Sequence, residues 1–264
     1  TDGPPGPKQL PACRQQVKAV REELIHGRGF ALISQLDEDR LGRLGAKVAY
    51  WTLGQLIGES FSQDISDTLL YDVRDTGKSV TGGARFSVTR AESSFHTDGA
   101  FGEELPDIVG LLCLRTAKSG GQSQLISGCT VYNELRLSSH VTALHDGFWF
   151  DRRGQHADGE SPVARYPVFA WGPEGELFVR YMAYYIRVGQ ERAGQPLRPD
   201  QKRELEALEG QLRRPELRVE FDMAQGHMLF TNNRWILHNR TAFEDHYEPE
   251  NKRHYVRLWL RRSA

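Results

Sequence analysis

Hydrophobic and polar positions change period several times along the chain, and each change marks an element. Residues 12–26 carry Val17, Val20 and Leu24 at helical spacing, and Gly27 and Gly29 end that pattern. Residues 29–34 (GFALIS) then read as a buried strand. A second helix is expected over 37–57, where Asp37, Glu38 and Asp39 give an acidic first turn that complements a helix N-terminus. Its Leu41, Leu44, Val48, Trp51 and Leu56 form the stripe expected to face the core. From about 65 to 107 the chain is rich in Gly, Ser, Thr and Asp. That is too long for a simple connection, so a functional loop region is expected.

Short apolar or alternating runs predict strands at 108–115, 122–126, 163–171, 176–181, 218–221, 227–230, 235–237 and 254–260. Helices are expected near 130–137 and 199–213, and 151–162 (DRRGQHADGESP) reads as a mobile loop or lid edge. Early helices, many short strands and long loops predict a mainly β fold with flanking helices, a distorted jelly roll. No repeat or change of composition divides the chain. Residues 1–11 read as a flexible Pro/Gly leader and 12–264 as a single domain.

Composition narrows the function more than the fold. Lys plus Arg is 34 against 35 acidic residues, which offers no basic excess to a nucleic acid or an anionic membrane. No apolar run approaches the roughly 18 residues of a membrane span, and TDGPPGPKQLP lacks the pattern of a signal peptide. Cys13, Cys113 and Cys129 are far apart with no CxxC, which is cytoplasmic usage. The expected partner is a small molecule, and a homo-oligomer is compatible with everything above.

Two of the nine histidines have informative neighbours. In an extended segment residues i and i+2 share a face, so His96 and Asp98 can aim an imidazole and a carboxylate at one point. Alone, such a pair is more often a solvated turn. His238 ends a short apolar run (WILH), where a lone histidine is usually structural. Together the three make two imidazoles and a carboxylate, a set that binds a first-row divalent metal on one face and leaves other positions open. An open site means oxygen and co-substrate chemistry, or hydrolysis. The terminal strand separates these. Alternation puts Arg253, Tyr255, Arg257 and Trp259 on one face and His254, Val256, Leu258 and Leu260 on the other. Two inward arginines suit a dicarboxylate clamp beside the metal, because guanidinium binds carboxylates bidentately.

These residues, in this order, resemble the taurine dioxygenase-like (TauD/TfdA) iron(II)/2-oxoglutarate oxygenases. The resemblance runs from Gly27–Ser34 through FHTD (95–98), GGQS (120–123) and Arg180-Tyr181 to 226–240 and Arg253/Arg257. It implies a double-stranded β-helix with His96, Asp98 and His238 as iron ligands. Ser123 stands where the family has a threonine that helps bind the far carboxylate of 2-oxoglutarate. Arg253 would pair with that carboxylate, and Arg257 would contact 2-oxoglutarate or an anionic substrate. Tyr71, Asp72, Arg74 and Phe101 in flanking loops, with Arg180 and Tyr181 on a strand, are candidate substrate contacts. Asp72 together with an arginine would suit a zwitterionic amino acid.

The implied reaction consumes O2 and 2-oxoglutarate and releases succinate and CO2 while oxidising a C–H bond of a small polar molecule, an amino acid or a specialised-metabolite intermediate. Hydroxylation is the expected outcome; desaturation, cyclisation and epoxidation are alternatives. Asp98 disfavours halogenation, which in related enzymes needs a small residue there. The 15 residues from His238 to Arg253 exceed the interval in the taurine enzyme, so its substrate is not carried over. Two other classes stay open here: a metal hydrolase, which leaves Ser123, Arg253 and Arg257 without a task, and a non-catalytic jelly-roll binding module.

Overall fold

The computed structural model describes residues 11–34, 36–78, 86–89 and 92–262. The chain opens with α1 (Pro11–Ile25), β1 (Phe30–Ile33), α2 (Glu38–Ile57), β2 (Glu59–Ser60) and β3 (Tyr71–Val73). β4 (Ile108–Arg115), β5 (Ser119–Gly120), β6 (Ser123–Ser127), α3 (Gly128–Leu137) and β7 (Gly147–Asp151) follow. Next come β8 (Val163–Pro167), β9 (Phe169–Trp171), β10 (Leu177–Val179), α4 (Ala183–Arg192) and α5 (Pro199–Leu212). The chain closes through β11 (Arg218–Phe221), β12 (Met228–Asn232), β13 (Ile236–Arg240), β14 (Phe243–Glu244) and β15 (His254–Arg261). Of the expected leader only Pro11 is among the described residues, and it begins α1.

The larger sheet has the order β1-β12-β4-β15-β2, with β3 also paired to β15, and the smaller sheet the order β11-β6-β13. Every pairing in both is antiparallel. Cys113, Leu229 and Tyr255 of the larger sheet share one buried cluster with Leu125 and Ile236 of the smaller. The sheets therefore face each other, and the expected double-stranded β-helix is formed. On the outer face of the larger sheet, Leu24 of α1 and Tyr50 and Ile57 of α2 pack with Val256, Leu258 and Leu260 of β15. The terminal strand is thus buried on both faces, as a central strand between a helical layer and a second sheet must be. Its alternation sends Tyr255, Arg257 and Trp259 inward.

The stripe on α2 differs from expectation. Leu41, Leu44 and Val48 are exposed, at 44%, 76% and 51%, while Ala46, Tyr50, Gly54 and Ile57 form the buried face. Gly42 breaks the helical backbone (φ 68°, ψ 167°) and resets the phase, and small Ala46 and Gly54 let the helix lie close to the sheet around Tyr50. Only Trp51 and Leu56 of the expected stripe pack against the core. The run at 163–171 divides into β8 and β9, and β7 and α4 were not foreseen. Both belong to the other large apolar cluster, where Phe148 and Phe150 meet Tyr185 and Ile186. The stretch 151–162 joins β7 to β8, held by Arg152 N–H to the Pro162 carbonyl and by Asp151 paired with Arg153 and Arg192.

Candidate metal centre and anion cavity

Backbone pairing brings the two sequence-distant histidines together. His96 and His238 form an antiparallel bridge, each N–H donating to the other's carbonyl at 3.0 and 2.9 Å. Their rings stand 4.3 Å apart. Two residues on, Asp98 begins a turn clamped by the fully buried Asn233. The Asn233 amide accepts from Asp98 N–H at 2.8 Å and donates to the carbonyls of Asp98 and Pro106 at 3.0 and 3.1 Å. Gly99 has φ +67°, a left-handed conformation that glycine adopts without steric cost. A Cβ there would also lie 3.0 Å from Pro106.

The Nε2 atoms of His96 and His238 lie 3.6 and 3.7 Å from Asp98 Oδ1, too far to be hydrogen bonds, and all three ligand atoms lie within 4.8 Å of one another. His96 Nδ1 donates to the Ser94 carbonyl at 2.9 Å, which leaves its Nε2 lone pair toward the others. Burial and the neighbouring His96 push the His238 imidazole down to about 3, so it is neutral and free to coordinate. Burial opposes the charge of Asp98, but Arg257, with the two histidines, holds its carboxyl well below the usual carboxylate range. Two imidazoles and an ionised carboxylate around an open point fit an iron(II) ion.

Asp98 is held from behind. Arg257 Nη1 lies 3.2 Å from Oδ1 and 3.1 Å from Oδ2, and the Trp259 indole N–H donates to Oδ2 at 2.9 Å. Arg257 Nε in turn donates to Gln63 Oε1 at 2.8 Å. Gln63 also donates to the carbonyls of Arg257 and Leu69, at 2.9 and 2.8 Å. The loop after β2 is thereby tied to the Asp98 carboxylate.

The same cavity is lined by Ser123, Arg240, Arg253 and Tyr255. Arg253 is only 5% exposed, and its guanidinium lies 3.8 Å from the Tyr255 ring centre and 5.2 Å from that of Phe243. No carboxylate pairs with that guanidinium among the described residues. Beside it, Gly121 has φ +76°, a left-handed conformation that glycine adopts without steric cost. Arg240, opposite Ser123 in the β6–β13 register, is a second cation that burial and Arg253 push down to about 9. Arg240 is half-buried, donates to the Thr89 carbonyl at 3.2 Å and also feels the carboxylates of Asp75 and Glu92.

The remaining candidates separate by strand phase. Phe101 lines the cavity, its ring 5.8 Å from Tyr185, and Tyr71 packs beneath Arg257, whose guanidinium lies 5.0 Å from its ring centre. Asp72 points the other way, paired with Lys47 Nζ at 2.9 Å and His254 Nε2 at 2.7 Å, and Arg74 is exposed. An amino-acid clamp built on Asp72 is therefore not what this strand forms. Arg180 lies over the Tyr166 ring and donates to the carbonyls of Gly102 and Glu103, pinning the loop after Asp98. The Tyr181 side chain is buried against Glu209, and only its backbone reaches the site, through Thr97. The sequence reading did not single out Asn233, Gln63, Arg240, Met182 or Tyr185. Period two could have found Arg240, which shares a strand face with His238.

Three side chains that could share a metal ion, beside a cation-lined cavity inside a double-stranded β-helix, fit the class of mononuclear non-haem iron oxygenases. The family described as "Taurine catabolism dioxygenase TauD, TfdA family" matches residues 3–259, and the chain belongs to it. It is accordingly a 2-oxoglutarate-dependent iron(II) dioxygenase. FR-33289 synthase of Streptomyces rubellomurinus (strain ATCC 31215) is 28% identical over 246 residues, 90% of this chain and 70% of that protein. Uridine-5'-phosphate dioxygenase of an Amycolatopsis species is 27% identical, across 88% of this chain and 85% of that one. Among solved structures, asparagine oxygenase with Fe(II), 3-hydroxyasparagine and succinate superposes with a TM-score of 0.72 at 20% identity, covering 98% of this chain and 86% of that one. The oxygenase OrfP with Fe and alpha-ketoglutaric acid gives 0.69 at 18%, covering 93% and 79%. At these identities the structures establish the shared fold.

Proposed function

We propose that the enzyme hydroxylates an unactivated C–H bond of a small, anion-bearing molecule. In this reading His96, Asp98 and His238 hold the iron, and Ser123 and Arg253 hold the far carboxylate of 2-oxoglutarate. The observation that carries it is the cavity's charge. Among the described lining residues, Arg253 has no carboxylate partner and Arg257 shares Asp98 with the proposed metal, while Arg240 also answers to the carboxylates of Asp75 and Glu92. A dicarboxylate co-substrate answers Arg253, and a substrate anion suits Arg257 beside the metal. Among the described lining residues an ammonium group finds no acid but Asp98, since Asp72 faces outward.

Bound iron(II) supplies dioxygen activation coupled to conversion of 2-oxoglutarate into succinate and CO2. The chain's own groups orient and shield. Arg253 and the Ser123 hydroxyl fix one end of the co-substrate through charge-assisted hydrogen bonds. Val109, Leu111 and Leu229 give the cavity apolar walls that exclude water. Phe86, Phe101, Met182 and Tyr185 add an apolar surface for the substrate's carbon skeleton. Arg257 lies at the metal carboxylate, where it can also meet a substrate anion. The named substrate of uridine-5'-phosphate dioxygenase, a phosphate ester, has this character.

We place the enzyme in the cytoplasm as one domain over 12–264, acting without nucleic acid or membrane, a homo-oligomer being compatible. No helix among the described residues is long and apolar enough to cross a membrane. The test is succinate release with iron(II) and 2-oxoglutarate across phosphate esters, phosphonates and sulfonates against zwitterionic amino acids. Turnover is expected with the first group, with a product heavier by one oxygen. Turnover confined to amino acids would overturn the substrate class, and loss of two hydrogens would replace hydroxylation by desaturation.

A further inference from the structure

The two oxygens of Asp98 have different surroundings. Oδ1 is the one that the two histidines face, at 3.6 and 3.7 Å, whereas Oδ2 receives the Trp259 indole N–H at 2.9 Å. Trp259 is itself immobilised. It is 7% exposed and sits next to Phe61 with ring centres 5.9 Å apart. A Cβ at Gly99, the residue after Asp98, would lie 3.5 Å from its ring. An indole N–H can only donate, so the contact orients the carboxylate without competing for a metal. Arg257 also touches Oδ2, but it spans both oxygens and stands in the cavity, where an arriving anion competes for it.

We propose that Trp259 is a positioning residue for the metal carboxylate: by holding Oδ2 it restricts Asp98 to one-oxygen ligation through Oδ1 and keeps a coordination position open for co-substrate. The backbone already fixes where Asp98 sits, through Asn233. What Trp259 adds is the rotation of the carboxylate about its last bond. Without it, Arg257 alone bridges both oxygens and lets either, or both, turn to the metal. The inference rests on the reading of His96, Asp98 and His238 as the metal ligands. Partners that orient ligating groups are typically worth 10- to 100-fold in metal affinity or activity.

The test uses cobalt(II) as a spectroscopic probe, titrated anaerobically into the full-length wild type, Trp259→Phe, His238→Ala, and a protein carrying 3-benzothienylalanine at position 259. That residue keeps the bicyclic shape and replaces N–H by sulfur, so packing against Phe61 and Gly99 is retained. Both position-259 proteins should show cobalt d–d bands shifted from the wild type by a second carboxylate oxygen, with an affinity that departs from the wild-type value on the order of 10-fold. Wild-type affinity and bands in the benzothienyl protein would overturn the proposal and leave Trp259 a packing residue, even if Trp259→Phe were impaired. Failure of the wild type to bind cobalt, or binding untouched by His238→Ala, would instead overturn the ligand reading on which the proposal rests.

Discussion

The strand β15 carries a carboxylate–histidine–cation cluster at each of its faces, and the two have different fates. Outside, Asp72 of β3 meets His254 and Lys47 in a half-exposed ion pair. Inside, Asp98 meets His96, His238 and Arg257 in a buried one. The chemical groups are nearly the same. In the outer cluster His254 Nε2 lies 2.7 Å from Asp72 and is spent on that contact. In the inner cluster the histidine Nε2 atoms lie 3.6 and 3.7 Å from Asp98 Oδ1, beyond hydrogen-bond reach, and the three ligand atoms surround a common point. A site, on this comparison, is made by groups brought together but kept from satisfying one another.

The largest expected effect comes from breaking the inner cluster. Asp98→Ala or His96→Ala should abolish substrate-linked succinate formation, while Asp72→Ala leaves it near wild type. Arg253→Gln comes next. Its charge is buried without a carboxylate partner, so the variant should keep or gain stability as the metal-free protein. Its KM for 2-oxoglutarate should nevertheless rise on the order of 10- to 100-fold, because a hydrogen bond to a charged group is worth about 1.5–3 kcal/mol. Arg257→Gln should behave in the opposite way, losing about 2–4 kcal/mol in urea unfolding because it leaves Asp98 buried with one cation fewer. Added cobalt or iron(II) should restore part of that loss, since the metal replaces the missing charge.

The smallest effect belongs outside. Hydrogen bonding from His254, helped by Lys47, lowers the Asp72 carboxyl from its ordinary value. A depressed folded-state value stabilises above the unfolded-state value, near pH 4, and the contribution is lost as pH falls through the folded one. Asp72→Asn should therefore cost no more than about 0.5 kcal/mol at pH 7, since solvent screens a half-exposed pair. That gap should shrink in urea titrations repeated at pH 3, and a gap that widened there would contradict the assignment.

The same contrast explains what could be read from the amino acids alone. His96 and Asp98 were readable because their spacing fixes a shared face in any extended backbone, and β15 because strict alternation over eight residues fixes its phase. The three-residue β3 has no such run, so nothing local decides whether Tyr71 and Val73 or Asp72 and Arg74 turn inward; pairing with β15 decides it. Arg180 and Tyr181 were ambiguous for the same reason, at the end of the short β10. On α2 the large apolar side chains pointed to the wrong face, because Ala46 and Gly54 mark close approach by being small. Asn233 and Gln63 act through contacts 135 and 194 residues away in sequence, and no spacing rule reaches that far.

The central claim is that the inner cluster binds iron(II) and that Arg253 seats 2-oxoglutarate beside it. Anaerobic titration with iron(II) and 2-oxoglutarate, followed by visible absorption, tests both at once. The wild type should develop a weak charge-transfer band that requires both components, is absent in Asp98→Ala, and needs far more 2-oxoglutarate in Arg253→Gln. No band in the wild type, or an undiminished band in Asp98→Ala, would contradict the account.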